Sequence, residues 1–321
     1  MAQKVSLSKT NQEVFANVLL SLAIMDKNIL LATTDSRGSG KLIKFGEILP
    51  DQIIEIGIAE QNLVGITAGL ASTGKTVFAV SPACFLTARG LEQIKNDVAY
   101  SDNKVKLVGI SAGVSYGSLG FTHHSTHDLA VLLTIPNIDI VVPADNYETY
   151  EAVHAAVDYP KPIYLRFGKK AMPEKLSDNG SFSIGKARVL AEGTDILFIS
   201  TGELVYQAWL AREQLEAENL STGVISVHSI RPFDSQTIIN AVQKTKLVIT
   251  CEEHSIYGGL GSLVASLLMQ KGIMKPLKIL GIPDEICVTG DQSEIFHHYG
   301  LSATKLVETA RRLYQTETEK I

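Results

Sequence analysis

Short apolar runs alternate with helical patterns along most of the chain. In the first half, apolar and β-branched runs predict six strands, at residues 29–33, 53–57, 76–80, 105–110, 138–142 and 163–167. The patterns between these runs predict helices at residues 12–25, 61–71, 90–99 and 147–157. Thr10 and Glu13 have the spacing of a capping box at the first helix. Strands that are apolar on both faces and separated by helices are typical of a parallel sheet covered on both sides.

A polar, turn-rich stretch at residues 173–186 interrupts this pattern and predicts a linker. A second unit follows, with predicted strands at residues 195–200, 223–227, 247–251 and 277–280 and helices at 205–217, 236–243, 261–270 and 305–314. We therefore expect an α/β protein with two doubly wound, mostly parallel-sheet domains, at residues 1–178 and 187–321.

Composition narrows the possible partners. The 321 residues are 45% hydrophobic and 20% charged, as in an ordinary α/β protein, and the net charge of −5 with no basic run argues against nucleic acid. No apolar stretch is long enough to span a membrane. Cys84, Cys251 and Cys287 are scattered, without metal spacing or an even count. The expectation is a cytoplasmic protein without disulfides.

Residues 55–71, Glu-Ile-Gly-Ile-Ala-Glu-Gln-Asn-Leu-Val-Gly-Ile-Thr-Ala-Gly-Leu-Ala, predict a strand, a turn and a helix of small residues. Glu60 falls at the helix start, where a carboxylate complements the helix dipole and is ordinarily a cap. The segment resembles the one that activates thiamine diphosphate in transketolases and deoxyxylulose-phosphate synthases. The resemblance implies that Glu60 is catalytic and binds the N1′ nitrogen of the cofactor's aminopyrimidine ring.

Two further segments resemble parts of that cofactor site. Residues 81–94 resemble a strand-to-helix turn, which implies that Phe85 stacks on the aminopyrimidine and that Arg89 also lies at the cofactor. An isolated Phe is more often core, but this one follows a strand end, where α/β sheets bind ligands. Residues 33–41 match a loop whose Asp35 would lie by the thiazolium ring and whose Ser39 would contact substrate. A plain Gly/Ser turn is the alternative.

The segment 117–129 carries three closely spaced histidines. Thr122 and His123 match the family pattern, which implies that His123 is a catalytic imidazole that binds substrate and moves a proton. His124 and His127 could share a helix face, but no nearby Cys or Glu completes a metal set. We expect no metal ligands from this chain.

Three positions depart from the transketolase pattern at the substrate. Leu119 stands where the family has an Asp that reads a donor hydroxyl, and Ser111 stands where it has a phosphate-contacting His. Lys169 replaces a phosphate-binding Arg, and it keeps the charge without the bidentate fork. The resemblance implies that Leu119, Ser111 and Lys169 nevertheless lie at the substrate, together with Ser39 and His123. An ordinary pentose-phosphate reaction is therefore in doubt.

Half of a thiamine site is missing. The family binds Mg²⁺ and the diphosphate through Gly-Asp-Gly and a later Asn, and the nearest stretches, 193–195 and 290–292, do not fit. Segments 229–234 and 252–261 resemble the C-terminal domain shared by transketolases and the β subunits of 2-oxoacid dehydrogenases, with glycines that we interpret as packing and turn devices rather than an anion cradle. The resemblance thus implies the C-terminal subunit of a split transketolase. An N-terminal partner would hold Mg²⁺, share thiamine diphosphate and complete an α2β2 heterotetramer.

The implied reaction is transfer of a two-carbon ketol unit from a ketose to an aldose through a thiamine-bound carbanion. One alternative is a decarboxylating 2-oxoacid donor, as in an oxoacid dehydrogenase β subunit or a synthase, which would suit Leu119. Another is a non-catalytic scaffold subunit, against which Glu60 and Phe85 argue. A nicotinamide-binding domain is disfavoured because no Gly-x-Gly-x-x-Gly follows the first strand.

Overall fold

The computed structural model describes residues 6–318. Its first part contains β1 (Leu7–Thr10), α1 (Asn11–Met25), β2 (Ile29–Thr33), α2 (Ile43–Ile48), β3 (Ile53–Glu55), α3 (Glu60–Ser72), β4 (Thr76–Pro82), α4 (Ala83–Arg89), α5 (Leu91–Gln93), β5 (Lys106–Ile110), α6 (Asp128–Leu133), β6 (Asp139–Val141), α7 (Asn146–Val157), β7 (Ile163–Arg166) and β8 (Ala171–Pro173). The second part contains β9 (Arg188–Ala191), β10 (Ile196–Ser200), α8 (Leu204–Ala217), β11 (Thr222–Ser226), β12 (Ser229–Arg231), α9 (Ser235–Lys244), β13 (Leu247–Ser255), α10 (Leu260–Gln270), β14 (Leu277–Ile282), α11 (Gln292–His298) and α12 (Ala303–Thr318).

Two mostly parallel sheets confirm the expected α/β architecture. The first has the order β12-β6-β7-β5-β4-β2-β3, in which every pair is parallel except β12 with β6. The second has the order β14-β13-β10-β11-β9, with only β9 antiparallel. β1 and β8 form a separate antiparallel pair. The central strands are buried on both faces, as their continuous apolar sequences require.

The ten predicted strands are all present, with ends shifted by a few residues. The capping box is also present: the Glu13 amide donates to Thr10 Oγ1 over 3.1 Å, and the Thr10 amide donates to Glu13 Oε2 over 2.9 Å. The helix predicted at 90–99 is instead α5 followed by a π-helix, Ile94–Tyr100. The short strands β1, β8, β9 and β12 escaped prediction because their short sequences carry little periodicity.

The two sheets are joined by strand pairing and by buried charge. β12 follows the predicted linker in sequence but joins the edge of the first sheet. Beside it, Arg188 Nη1 donates to Glu148 Oε1 over 2.8 Å and approaches Asp145 Oδ2 at 3.5 Å, with all three side chains buried. Burial and the Glu148 carboxylate raise the pKa of Asp145 to about 6. The single guanidinium therefore has to neutralise two carboxyl groups from the first domain.

No helix in residues 6–318 is both long and apolar enough to cross a bilayer. Cys84, Cys251 and Cys287 are all free and buried. The predicted cytoplasmic location and the domain limits 1–178 and 187–321 stay predictions.

Arg188→Met should destabilise the chain by about 3–5 kcal/mol, because it leaves two buried carboxyl groups without their cation. The free energy of unfolding from urea titration at neutral pH is the measurement. Lys246→Met is the control, since Lys246 pairs with Asp195 at the surface and its loss should matter far less. Equal losses for both variants would contradict the importance given to the buried pair.

Candidate active site

The proposed site residues follow the carboxyl ends of neighbouring parallel strands. The carboxyl ends of β2, β3, β4, β5 and β7 all lie at the same end of the first sheet, which is where open α/β sheets bind ligands. The segments that leave these ends carry, in chain order, Asp35, Ser39, Glu60, Phe85, Arg89, Ser111 and Lys169. Residues distant in sequence are thereby placed at the same end of the domain.

Glu60 is the first residue of α3 and is only 3% exposed. Its Oε2 accepts a hydrogen bond from Arg89 Nη1 over 2.9 Å, and its Oε1 lies 3.5 Å from the donor Ser81 Oγ. Ser81 is itself hydrogen-bonded to Thr34 Oγ1 over 2.7 Å. The helix N-terminus further favours a negative charge here. The carboxylate is therefore buried, oriented and paired with a single cation.

Phe85 and Glu60 are connected by the same arginine. The Arg89 guanidinium carbon lies 4.4 Å from the centroid of the Phe85 ring, while its Nη1 bonds Glu60. Phe85 is half-buried, whereas the side chain of Arg89 is 49% exposed. A planar N–H donor thus lies over an aromatic ring and binds a buried carboxylate. This is an arrangement that a flat, protonated nitrogen heterocycle would also satisfy.

His123 lies between two aromatic rings. Its centroid is 5.3 Å from that of Phe85 and 5.4 Å from that of Tyr116, edge-on to both. Its Nδ1 is 3.0 Å from Thr122 Oγ1. The imidazole is therefore held next to the ring proposed to stack on the cofactor.

Tyr116 is the central contact of the remaining polar side chains, and the sequence patterns did not single it out. Burial raises the pKa of its hydroxyl, and the nearby side chains of Ser111 and Ser39 partly offset that rise. Lys169 Nζ lies 4.9 Å from the Tyr116 ring centroid, a cation–π distance. Gln12 Nε2 donates to Ser111 Oγ over 2.9 Å. The only sequence signal was an aromatic residue just before the segment that carries His123.

Asp35 and Leu119 are placed differently from the other candidates. Both are exposed, Leu119 by 54%. Asp35 has a φ of +50°, and its backbone amide donates to Glu55 Oε1 over 2.6 Å. Within residues 6–318, the side chains of Asp35 and Leu119 make no hydrogen bond or ion pair with the other candidates. Their expected roles at the thiazolium ring and the substrate stay predictions.

Metal ligands are not assembled in the described part of the chain, where no three His, Cys, Asp or Glu side chains are grouped to hold an ion. His124 is buried, its Nε2 lies 3.0 Å from the Gly117 carbonyl oxygen, and burial lowers its pKa. The aspartates of the stretches 193–195 and 290–292 have other roles. Asp195 pairs with Lys246 over 2.8 Å, and Asp291 caps α11.

The structure supports the interpretation of the glycines at 258–261 as packing and turn devices. Gly258 has a φ of +74°. A Cβ on Gly259 would lie 1.9 Å from Glu252 Oε2, and one on Gly261 would lie 2.5 Å from the Ile279 side chain. The backbone amides of Leu260 and Gly261 already donate to the Glu252 carboxylate, over 2.7 and 2.9 Å. The helix start is filled by a side chain of the protein itself.

Comparison with known proteins decides the family. Residues 8–175 match the family model of the transketolase pyrimidine-binding domain, and residues 185–306 match that of the transketolase C-terminal domain. The chain belongs to the transketolase family. It is 48% identical over 297 residues to one of the apulose-4-phosphate transketolase subunits of Phocaeicola vulgatus, covering 92% of this chain and 95% of that protein.

Other relatives show the same split organisation. The 6-deoxy-6-sulfo-D-fructose transketolase subunit SqwH of Clostridium sp. strain MSTE9 is 31% identical over 94% of this chain and 94% of its own length. A solved structure of a split-gene transketolase, an inactive β4 tetramer, superposes with a TM-score of 0.87 at 31% identity, covering 96% of this chain and 99% of that one. This transketolase chain thus has the domain content of the C-terminal-half subunit. Its pyrimidine-binding domain implies thiamine diphosphate, and its similarity to subunits of split transketolases implies an N-terminal-half partner.

Phe85→Ala should weaken retention of thiamine diphosphate by the assembled enzyme more than it lowers the stability of the free chain. Loss of a stacking face costs about 0.5–1.5 kcal/mol beyond area, whereas truncating a core Phe costs about 3–5 kcal/mol of stability. Phe78→Ala, at a fully buried position on β4, is the matched core control. Cofactor titration and thermal melting of both variants are the measurements, and a Phe85→Ala melting loss as large as the control's with normal cofactor affinity would identify Phe85 as core.

Proposed function

We propose that this chain is the catalytic C-terminal-half subunit of a split transketolase that moves a two-carbon ketol unit from a phosphorylated ketose to an aldose. The observation that carries the proposal is the Glu60–Arg89–Phe85 arrangement, with its 2.9 Å ion pair and 4.4 Å cation–π contact. An aminopyrimidine ring would likewise be a flat hydrogen-bond donor that lies over Phe85 and bonds to Glu60. The residues present therefore fit the pyrimidine half of thiamine diphosphate.

When bound, thiamine diphosphate supplies an electron sink for breaking a carbon–carbon bond next to a carbonyl. Glu60 would hold a proton at the N1′ nitrogen, which needs a carboxylate within hydrogen-bond reach in a place that excludes water. Phe85 would orient the ring by stacking. His123, beside Phe85, would exchange a proton with a substrate hydroxyl, and Arg89 would swing aside through its exposed end.

The N-terminal partner is proposed to hold Mg²⁺ and the diphosphate and to share the site in an α2β2 assembly. Exposed apolar side chains surround the segments that carry the site: Ile58 is 74% exposed, Phe121 55% and Leu119 54%. Apolar surface of this kind is typical of an interface between subunits. A partner covering it would also exclude water from Glu60, which strengthens the hydrogen bond to the cofactor.

For the substrate, we propose a phosphorylated ketose of the apulose-4-phosphate kind, because the relative with that name is 48% identical over nearly the full length. Ser39, Ser111 and Lys169 meet at Tyr116, and two hydroxyls beside a cation can bind a phosphate. Leu119 offers no hydrogen bond to a donor hydroxyl, so a linear pentulose phosphate would leave that hydroxyl unpaired. The similarity to split transketolases favours a ketose over a 2-oxoacid donor.

The substrate proposal is tested by steady-state kinetics on the chain combined with an N-terminal-half partner, thiamine diphosphate and Mg²⁺. We expect kcat/KM to be at least about tenfold higher for apulose 4-phosphate than for xylulose 5-phosphate, since an unpaired hydroxyl costs about 1–3 kcal/mol. Leu119→Asp, at an exposed position, should reduce the difference in kcat/KM between the two ketoses, because it offers the donor hydroxyl a hydrogen-bond acceptor. The isolated chain should give no turnover. Equal efficiency with both ketoses, or turnover only with 2-oxoacids, contradicts the proposal.

Glu60→Gln should assemble normally and lose turnover, together with exchange of the C2 proton of bound thiamine diphosphate, by on the order of a hundredfold or more. The amide cannot share a proton with N1′ as a carboxylate can. Deuterium exchange at C2 followed by NMR is the measurement. Glu55→Gln is the matched control, because Glu55 is a carboxylate at the same sheet edge that bonds only Asp35, Gly57 and Arg37 among the described residues. Unchanged exchange of the C2 proton in Glu60→Gln would show that Glu60 acts only as a helix cap.

A further inference from the structure

Two buried carboxyl groups of the C-terminal domain face each other across one amide. Gln292 Nε2, at the start of α11, donates to Glu203 Oε2 over 2.6 Å and to Glu253 Oε1 over 2.7 Å. Glu203 is 7% exposed, Glu253 3% and Gln292 2%. Both hydrogens of the amide nitrogen are therefore used. The three side chains form a bridge, which we call the Glu203–Gln292–Glu253 bridge.

Each carboxyl group of this bridge also binds the backbone of the first domain. Glu253 Oε1 accepts from the Val114 amide over 2.9 Å, and Glu203 Oε1 accepts from the Lys170 amide over 3.2 Å. Val114 lies two residues before Tyr116, and Lys170 directly follows Lys169. The bridge thus holds both segments whose side chains meet in the 4.9 Å contact between Lys169 and Tyr116.

Two glycines, which lack a Cβ, provide the space that the carboxyl groups of Glu253 and Glu203 occupy. A Cβ on Gly113 would lie 2.6 Å from Glu253 Oε2, and one on Gly168 would lie 1.7 Å from Glu203 Oε1. Gly117 is equally close, because its Cβ would lie 2.7 Å from the Gly290 carbonyl oxygen. The C-terminal domain is therefore packed directly against the backbone of both segments at these glycines.

We propose that Glu203, Gln292 and Glu253 are positioning residues of the transketolase reaction, which hold the segments that present Tyr116 and Lys169 to the substrate phosphate. This inference rests on the proposed function for its kinetic consequence. It gives the C-terminal domain a part in substrate binding, although none of its residues is placed at the cofactor.

The charge of the bridge agrees with this role. Burial and the neighbouring Glu203 raise the pKa of Glu253 to about 8, and burial also raises the pKa of Glu203. The Arg166 guanidinium lowers the pKa of both carboxyl groups, but it is already bound to Asp128 Oδ2 over 2.8 Å and offsets their burial only in part. A carboxyl group that keeps its proton at neutral pH can be replaced by an amide of the same shape. Glu253→Gln retains an Oε1 acceptor for Val114 and Gln292, whereas Glu253→Leu removes it.

The first test is hydrogen exchange on the full-length chain, followed by mass spectrometry, and it requires no substrate. Gln292→Leu should speed exchange about three- to tenfold in both the 112–119 and 167–171 segments, because the carboxyl groups that accept from Val114 and Lys170 are no longer held by the Gln292 amide. Glu253→Gln should exchange like the unaltered chain. The matched control is Glu148→Leu, which removes another buried carboxylate at the domain boundary, bonded to Ala144 and Arg188. It should speed exchange near residue 144 and leave both segments unchanged.

The second test is the kinetics of the assembled enzyme. Gln292→Leu and Glu253→Leu should raise KM for the phosphorylated ketose about five- to tenfold with a smaller change in kcat, and leave KM for an unphosphorylated ketose unchanged. Glu253→Gln should restore the KM. If Gln292→Leu does not fold, Gln292→Asn carries the same expectations, since the shorter amide cannot span both carboxyl groups.

The outcomes separate this inference from the proposed function. Faster exchange in only one segment, or in neither, overturns the positioning role whatever the substrate is. Faster exchange in both segments with an unchanged KM for the phosphorylated ketose also overturns it. If the unaltered assembled enzyme has no ketol transfer activity, the proposed function fails, and the exchange experiment still decides whether the bridge holds the two segments.

Discussion

The common direction of the strands in the first sheet is the constraint on which the candidate site depends. β2, β4, β5 and β7 are parallel neighbours, so the chain leaves each of them at the same edge. The segments after these ends bring Ser39, Phe85, Ser111 and Lys169 together although they span more than a hundred positions of sequence. An antiparallel arrangement would send alternate segments to the opposite edge and divide the site.

The sequence predicted the sheet, its strands and most of the grouped side chains. The strand pattern was strong because parallel strands are apolar on both faces, and family resemblance supplied Glu60, Phe85 and His123. Tyr116 was missed because no motif marks a tyrosine whose partners, Ser39 and Lys169, come from other strands. The bridge was missed for the same reason, since contacts over such long sequence separations depend on how the two domains pack.

That packing also explains why the second sheet matters for a site that lies at the first. β12 extends the first sheet, and Arg188 neutralises two buried carboxyl groups of the first domain. Arg166 connects the first domain to the second, because its Nη2 donates to the Glu253 carbonyl oxygen over 3.0 Å while its Nε binds Asp128. Breaking buried pairs of this kind is costly. These contacts therefore hold the two domains together.

Arg89 shows how a chain with half of a cofactor site can keep a charged side chain buried. An unpaired carboxylate at 3% exposure would be costly, and Arg89 removes that cost by pairing with Glu60. The Arg89 side chain is nearly half exposed, so withdrawing it returns the guanidinium to water, and a ligand that donates to Glu60 would have to replace the lost ion pair. A lysine could neutralise Glu60 equally well but has no planar guanidinium to place over the Phe85 ring. The guanidinium thus contacts both the carboxylate and the ring, which are the two contacts that the proposed cofactor ring would take.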